Sequence, residues 1–101
     1  MTNRAISARY TPTAVAINAK LHPDVKRRIR DGISSLLENP LSGHELRFEL
    51  DGFRSSRVKN YRIIYRFNEE DGFIEIFYVG PRRNVYENIR VLLKRTKLHN
   101  S

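Results

Sequence analysis

Arg54, Arg57, Lys59, Arg62, Arg66, Arg82 and Arg83 share the C-terminal half of the chain with Tyr61, Tyr65, Tyr78 and Tyr86. Arginine gives two parallel hydrogen bonds to a phosphate and stacks on bases, while tyrosine stacks and can exchange a proton. The set therefore suits RNA, either to bind it or to cleave its phosphodiester. The same residue types also describe a solvated basic sheet face over a tyrosine-lined core, and on their own they leave both readings open.

Other chemistries find little support. His22, His44 and His99 fall at a helix boundary, in a connection and in the tail, without the spacing of a ligand set or an acid–base pair, so surface roles are expected for them. There is no Gly-rich phosphate loop, no nucleophile elbow and no pair of carboxylates isolated among apolar residues. The absence of cysteine excludes a disulfide framework and thiolate metal sites. No metal and no cofactor is expected. The formal charge of +8, from 19 Lys and Arg against 11 Asp and Glu, favours polyanionic partners, either nucleic acid or an acidic polypeptide.

These side chains need a scaffold, and 101 residues suffice for one domain, expected over 1–101, with a single core. The N-terminus lacks an apolar run of signal-peptide length, and nothing approaches the roughly 20 apolar residues that span a bilayer. A cytoplasmic protein without membrane contact is expected. Residues 4–10 alternate as a short strand, and Thr11-Pro12 reads as an N-cap with proline at the first helical position. The following helix, Pro12 to Leu21, is rich in Ala and is expected to be buried over much of its circumference. A second helix begins at Pro23, with Val25, Ile29, Ile33, Leu36 and Leu37 on an apolar stripe and Lys26, Arg27, Arg28 and Arg30 elsewhere, and ends at Asn39-Pro40.

Leu41 to Gly52 reads as a connection with a short extended piece around Leu46 to Phe48. The period then becomes two. Phe53 to Val58 pairs through a turn at Lys59-Asn60 with a strand from Tyr61, which puts Tyr61, Ile63, Tyr65 and Phe67 on one face and Arg62, Ile64, Arg66 and Asn68 on the other. After the Asp71-Gly72 turn a strand runs from Phe73 to Val79, stopped by Gly80-Pro81, and Asn84 to Arg95 has helical potential before a frayed tail at 96–101. Tyr61, Tyr65, Phe67 and Phe77 read as core, and Arg66 as a cross-hairpin partner of an acidic residue. The expected class is α+β, with an N-terminal strand and helical hairpin packed on one face of a curved antiparallel sheet of about four strands, and a C-terminal helix.

The run from Phe53 to Arg66, followed by Val79-Gly80-Pro81-Arg82-Arg83-Asn84-Val85-Tyr86, resembles the RelE branch of the RelE/ParE toxin superfamily, and Leu36-Leu37-Glu38-Asn39-Pro40 resembles the end of that family's second helix. The likeness follows nearly the whole chain in element order, and its specific part is the two blocks 53–66 and 79–86. It implies a RelE-like fold and the toxin of a type II toxin–antitoxin system. Such a toxin is a metal-independent mRNA interferase that occupies the ribosomal A site and cuts the codon there by attack of the 2′-hydroxyl. By the same resemblance, Arg62 and Arg82 match the phosphate-stabilising arginines and Tyr86 the tyrosine that stacks or handles a proton. Arg57 matches a basic catalytic residue of the preceding strand, and Arg54, Lys59 and Arg83 are candidates for binding messenger or ribosomal RNA. Ser55 or Ser56 stands where some relatives carry a second lysine, and Pro81 where many carry histidine.

The implied partners are a cognate antitoxin laid over residues 12–37, the ribosome with its mRNA, and operator DNA only as part of a toxin–antitoxin complex. Two other functions fit the same resemblance. One is a ParE-like inhibitor of DNA gyrase, which would not need the arginine–tyrosine set. The other is a catalytically weak homologue acting only through antitoxin and operator, as the serines at 55 and 56 would allow.

Overall fold

The Thr11 hydroxyl accepts a hydrogen bond from the Ala14 N–H at 3.1 Å and donates one to the Phe77 carbonyl at 3.0 Å. One side chain thus caps α1 (Pro12–Ala19) and ties it to the sheet. The computed structural model describes residues 5–100, with residues 95–100 by backbone alone. The expected strand start at Arg4 and the tail end at Ser101 lie outside the described residues. α2 (Pro23–Glu38) is capped by His22, whose Nδ1 accepts from the Asp24 N–H at 3.2 Å. Ile29, Ile33 and Leu36 are buried, and Lys26, Arg27, Arg28 and Arg30 are exposed, as the periodicity requires. α1 is less buried than its Ala-rich sequence suggests. Only Ala14 is fully enclosed and Val15 is 56% exposed, because one side of α1 meets the sheet and the other is open.

Five strands form the sheet, in the order β1-β5-β4-β3-β2: β1 (Ser7–Tyr10), β2 (His44–Glu45), β3 (Arg54–Val58), β4 (Tyr61–Asn68) and β5 (Phe73–Pro81). β1 pairs with β5 in parallel, so the sheet is mixed rather than wholly antiparallel. β2 and a 3-10 turn at Phe48–Leu50 occupy the expected connection. α3 (Val85–Asn100) begins one residue later than expected and continues beyond Arg95.

The α+β class and the element order agree with the sequence, but the helices are not confined to one face. α1 and α2 cover Ile63, Tyr65, Ile74, Ile76 and Val79, whereas α3 brings Val85 and Ile89 onto the opposite face against Ile64, Phe53 and Leu50. Ile64 is the reason. It is an apolar residue on the arginine side of β4 and would expose its whole side chain without a second layer. Phe77 is the extra residue of a bulge, since Ile64 pairs with Tyr78 and Tyr65 with Ile76, and it joins this second core instead of the first. Arg90 Nε donates to Glu49 Oε1 at 2.6 Å, which holds the Glu49 carboxyl below its ordinary range and links α3 to the 3-10 turn.

Tyr65 fastens the connection to the sheet. Its hydroxyl donates to the Pro40 carbonyl at 2.7 Å and accepts from the Gly43 N–H at 3.0 Å, and a Cβ on Gly43 would collide with that hydroxyl. Burial raises the phenol above its ordinary value of 10.0, against the Gly43 hydrogen bond and the Arg54 charge, which lower it. A phenol raised on folding contributes stability that is complete below its unfolded value and is lost as pH rises through the folded one. Tyr65→Phe should cost about 1–3 kcal/mol at neutral pH through two unpaired buried groups. It should also flatten the fall in stability above about pH 10, as measured by urea unfolding of both proteins across that range.

Candidate functional site

The register of three strands sets the site. Arg57 on β3 lies opposite Arg62 on β4, and Arg62 lies opposite Gly80 on β5. Alternation puts Ser55, Arg57, Arg62 and Ile64 on the face that α3 covers. A Cβ at position 80 would stand 2.6 Å from the Tyr78 ring, so glycine there lets that ring lie beside Arg62's cross-strand neighbour. Asn88 of α3 donates to the Tyr78 hydroxyl at 3.0 Å.

Two of the expected site residues converge on Ser55, which is 1% exposed. The Tyr86 hydroxyl donates to Ser55 Oγ at 3.2 Å, and Arg62 Nη1 approaches the same oxygen at 3.4 Å. Tyr86 reaches this point from the first turn of α3, where Val85 and Ile89 fix the helix and the Tyr86 ring packs on the second core. The Nε of Arg62 is buried and has no hydrogen-bond partner. A buried guanidinium N–H without an acceptor is costly, and placing Arg57 directly opposite adds like-charge repulsion. Among the described residues, the ion pairs use Arg27, Arg54, Arg66 and Arg90 and none of Arg57, Arg62, Arg82 or Arg83. The cluster is rich in donors and short of acceptors, the complement of a phosphate, which only accepts.

Arg82 and Arg83 follow the end of β5. The Arg82 N–H donates to the Asn60 carbonyl at 2.7 Å, which holds the turn beside the β3–β4 hairpin, and both arginine side chains are exposed. Asn60, Pro81, Arg82, Arg83 and Asn84 line an open groove of about 640 Å³. At the same end, Arg57 Nε donates to the Lys59 carbonyl at 3.1 Å, and Lys59 has a left-handed φ of 53° with its side chain exposed. Arg54 is elsewhere. It points to the α1–α2 face and is taken up by the carbonyls of Leu41 and Gly43 at 3.2 and 2.8 Å and by Glu45 Oε1 at 3.1 Å. These bonds tie the connection to β3. Arg66 pairs with Glu75 at 3.7 Å and lies over the Phe53 ring.

Two residues near this cluster were not legible as site residues. Ser55 is read from the sequence, with Ser56, as standing where some relatives carry a lysine, and the signal for its place in the cluster is its position two before Arg57 on the same face. His44, expected on a connection, lies on β2 directly opposite Ser55, and the burial of Leu46 in the second core confirms which face of β2 this is.

Residues 8–86 match the family described as the ParE toxin of the type II toxin–antitoxin system parDE. Among solved structures, the chain is similar to the toxin–antitoxin complex RelBE2 of Mycobacterium tuberculosis, at 32% identity and a TM-score of 0.72, with 78% of this chain and 100% of that one covered. It also resembles the archaeal RelE–RelB complex of Pyrococcus horikoshii, at 23% identity and a TM-score of 0.64, over 79% of this chain and 98% of that one. The isolated RelE toxin of E. coli matches at 20% identity and a TM-score of 0.68, over 88% and 99% of the two chains. No curated protein matches the sequence.

The partners of each arginine separate those that hold the fold from those that do not. Arg82→Ala and Arg83→Ala should change stability by no more than about 0.5 kcal/mol. Arg54→Ala should lower it by about 1–3 kcal/mol, since two carbonyls lose a charged donor. Denaturant unfolding of the three variants measures the difference.

Proposed function

The chain belongs to the RelE/ParE superfamily of type II toxin–antitoxin toxins, and from that premise we propose that it is a metal-independent endoribonuclease that cuts mRNA in the ribosomal A site. The observation that carries this reading is the buried Arg62 Nε–H without an acceptor, inside a cluster of donors formed with Ser55, Tyr86 and Arg57. A protein that only binds another protein gains nothing from such a group. A protein that receives a phosphodiester offsets that cost, because the equatorial oxygens of the scissile phosphate accept from the same guanidinium.

Cleavage needs three tasks. The 2′-hydroxyl loses its proton as its oxygen bonds to phosphorus, the bond from phosphorus to the 5′-oxygen breaks, and that leaving oxygen gains a proton. Arg62 and the unpaired Arg82 stabilise the charge on the phosphate, with Arg57 beside Arg62, and the Tyr86 phenol protonates the leaving oxygen. A 2′,3′-cyclic phosphate and a free 5′-hydroxyl result. Lys59 and Arg83, exposed at the same end of the sheet, hold RNA flanking the cut. One task is left open by these residues, removal of the 2′-hydroxyl proton.

A cognate antitoxin is the proposed partner, as in the relatives solved as toxin–antitoxin complexes. The half-open α1 with exposed Val15, together with the basic side of α2, suits an acidic amphipathic segment, and DNA would be met only through the resulting complex. The match to a ParE family favours a second reading, inhibition of DNA gyrase.

Primer extension on mRNA in a purified translation system separates the two. Wild-type protein should cut within A-site codons only when ribosomes are present. Arg82→Ala should lower the rate by about 10²–10³, and Tyr86→Phe should lower it as well. An intact message together with blocked supercoiling by gyrase would establish the second reading instead.

A further inference from the structure

We infer that His44 is the general base that takes the 2′-hydroxyl proton, an assignment that rests on the nuclease reading and completes it. β2 has only two residues, and its register against β3 sets His44 opposite Ser55 and Glu45 opposite Arg54. Glu45 bonds to Arg54 on the α1–α2 face, so its neighbour His44 belongs to the other face, where Leu46 joins the second core. Directly opposed residues hold their Cβ atoms about 4.5–5.5 Å apart. His44 is thereby set across from the serine whose hydroxyl receives Tyr86 and Arg62, at 3.2 and 3.4 Å. It is exposed, on an edge strand, where a nucleotide can reach it.

The chemistry of the neighbours singles His44 out. The groups gathered at Ser55 are Arg62 from β4 and Tyr86 from α3, with Arg57 from β3 beside Arg62, and in the proposed step each of them acts as a donor. Imidazole accepts and returns protons in this range. His22 is spent as the N-cap of α2. The acidic partners Glu45, Glu49 and Glu75 are each engaged by an arginine.

The step balances without a co-reactant. A neutral imidazole nitrogen of His44 accepts the 2′-hydroxyl proton as the bond from that oxygen to phosphorus forms. The bond from phosphorus to the 5′-oxygen breaks, and the leaving oxygen takes the Tyr86 proton. The imidazolium proton then returns to the phenolate, which restores both residues.

The test is single-turnover and steady-state cleavage by wild type, His44→Ala and His44→Gln on ribosomes programmed with one mRNA, with and without added imidazole. The expected result is a rate about 10²–10³ lower in both variants, with KM for the programmed ribosome within about twofold, and partial recovery of His44→Ala by imidazole that Arg82→Ala does not share. Recovery by the free base is a response that a merely structural loss would not give. Three outcomes would overturn the assignment while leaving the nuclease reading intact: variants within about threefold of wild type, a loss that appears in KM alone, or a loss in kcat that imidazole does not repair. A wild-type protein that cuts nothing would remove the nuclease reading and this assignment together.

Discussion

The site depends on β4 being buried on both faces. Ile63, Ile64 and Tyr65 are each completely enclosed, alternately beneath the α1–α2 layer and beneath α3. A strand held from both sides cannot twist or slide without opening two cores, and a slip of one residue would move each buried side chain to the wrong layer. Arg62 is the residue immediately before this clamp. Its guanidinium is therefore delivered to a fixed place beneath the first turn of α3, where a mobile loop arginine would have to be ordered by its ligand at the expense of side-chain entropy.

The second layer exists to be used. α3 covers Ile64 with Val85 and Ile89 and in the same turn supplies Tyr86, so the packing that stabilises the sheet also delivers the phenol to Ser55. The bulge at Phe77 works in the same direction by turning both Phe77 and Tyr78 toward α3, where Tyr78 is held by Asn88. What results is a group of donors fixed by hydrophobic contacts and by the hydrogen bonds to Ser55, with no ion pair to Arg57, Arg62 or Arg82 among the described residues. Preorganised donors of this kind need not reorganise when charge develops on a phosphate.

Much of this could be foreseen from the residues. The change of period at Phe53, the Asp71-Gly72 turn and the α2 stripe are local signals, and the structure follows them. The pairing of Arg62 and Tyr86 at one site could be read only through a resemblance, because the residues are separated by a strand and a turn and meet through tertiary packing. What escaped has physical causes. β2 is too short to show a period, so His44 looked like a loop residue. The parallel pairing of β1 and the second core under α3 depend on long-range contacts that no window of sequence contains. Arg54 and Arg62 look alike in sequence, yet their different strand faces make one a structural clamp and leave the other with a free donor.

The central claim is that the donor cluster receives a scissile phosphodiester attacked by its own 2′-hydroxyl. The most direct measurement is end-group analysis by mass spectrometry of a message cleaved on the ribosome, beside the same message with a 2′-deoxynucleotide on the 5′ side of the cut. The account predicts 2′,3′-cyclic phosphate and 5′-hydroxyl ends from the first and no cleavage of the second. Cleavage of the deoxy message, or 5′-phosphate ends from either, would contradict it.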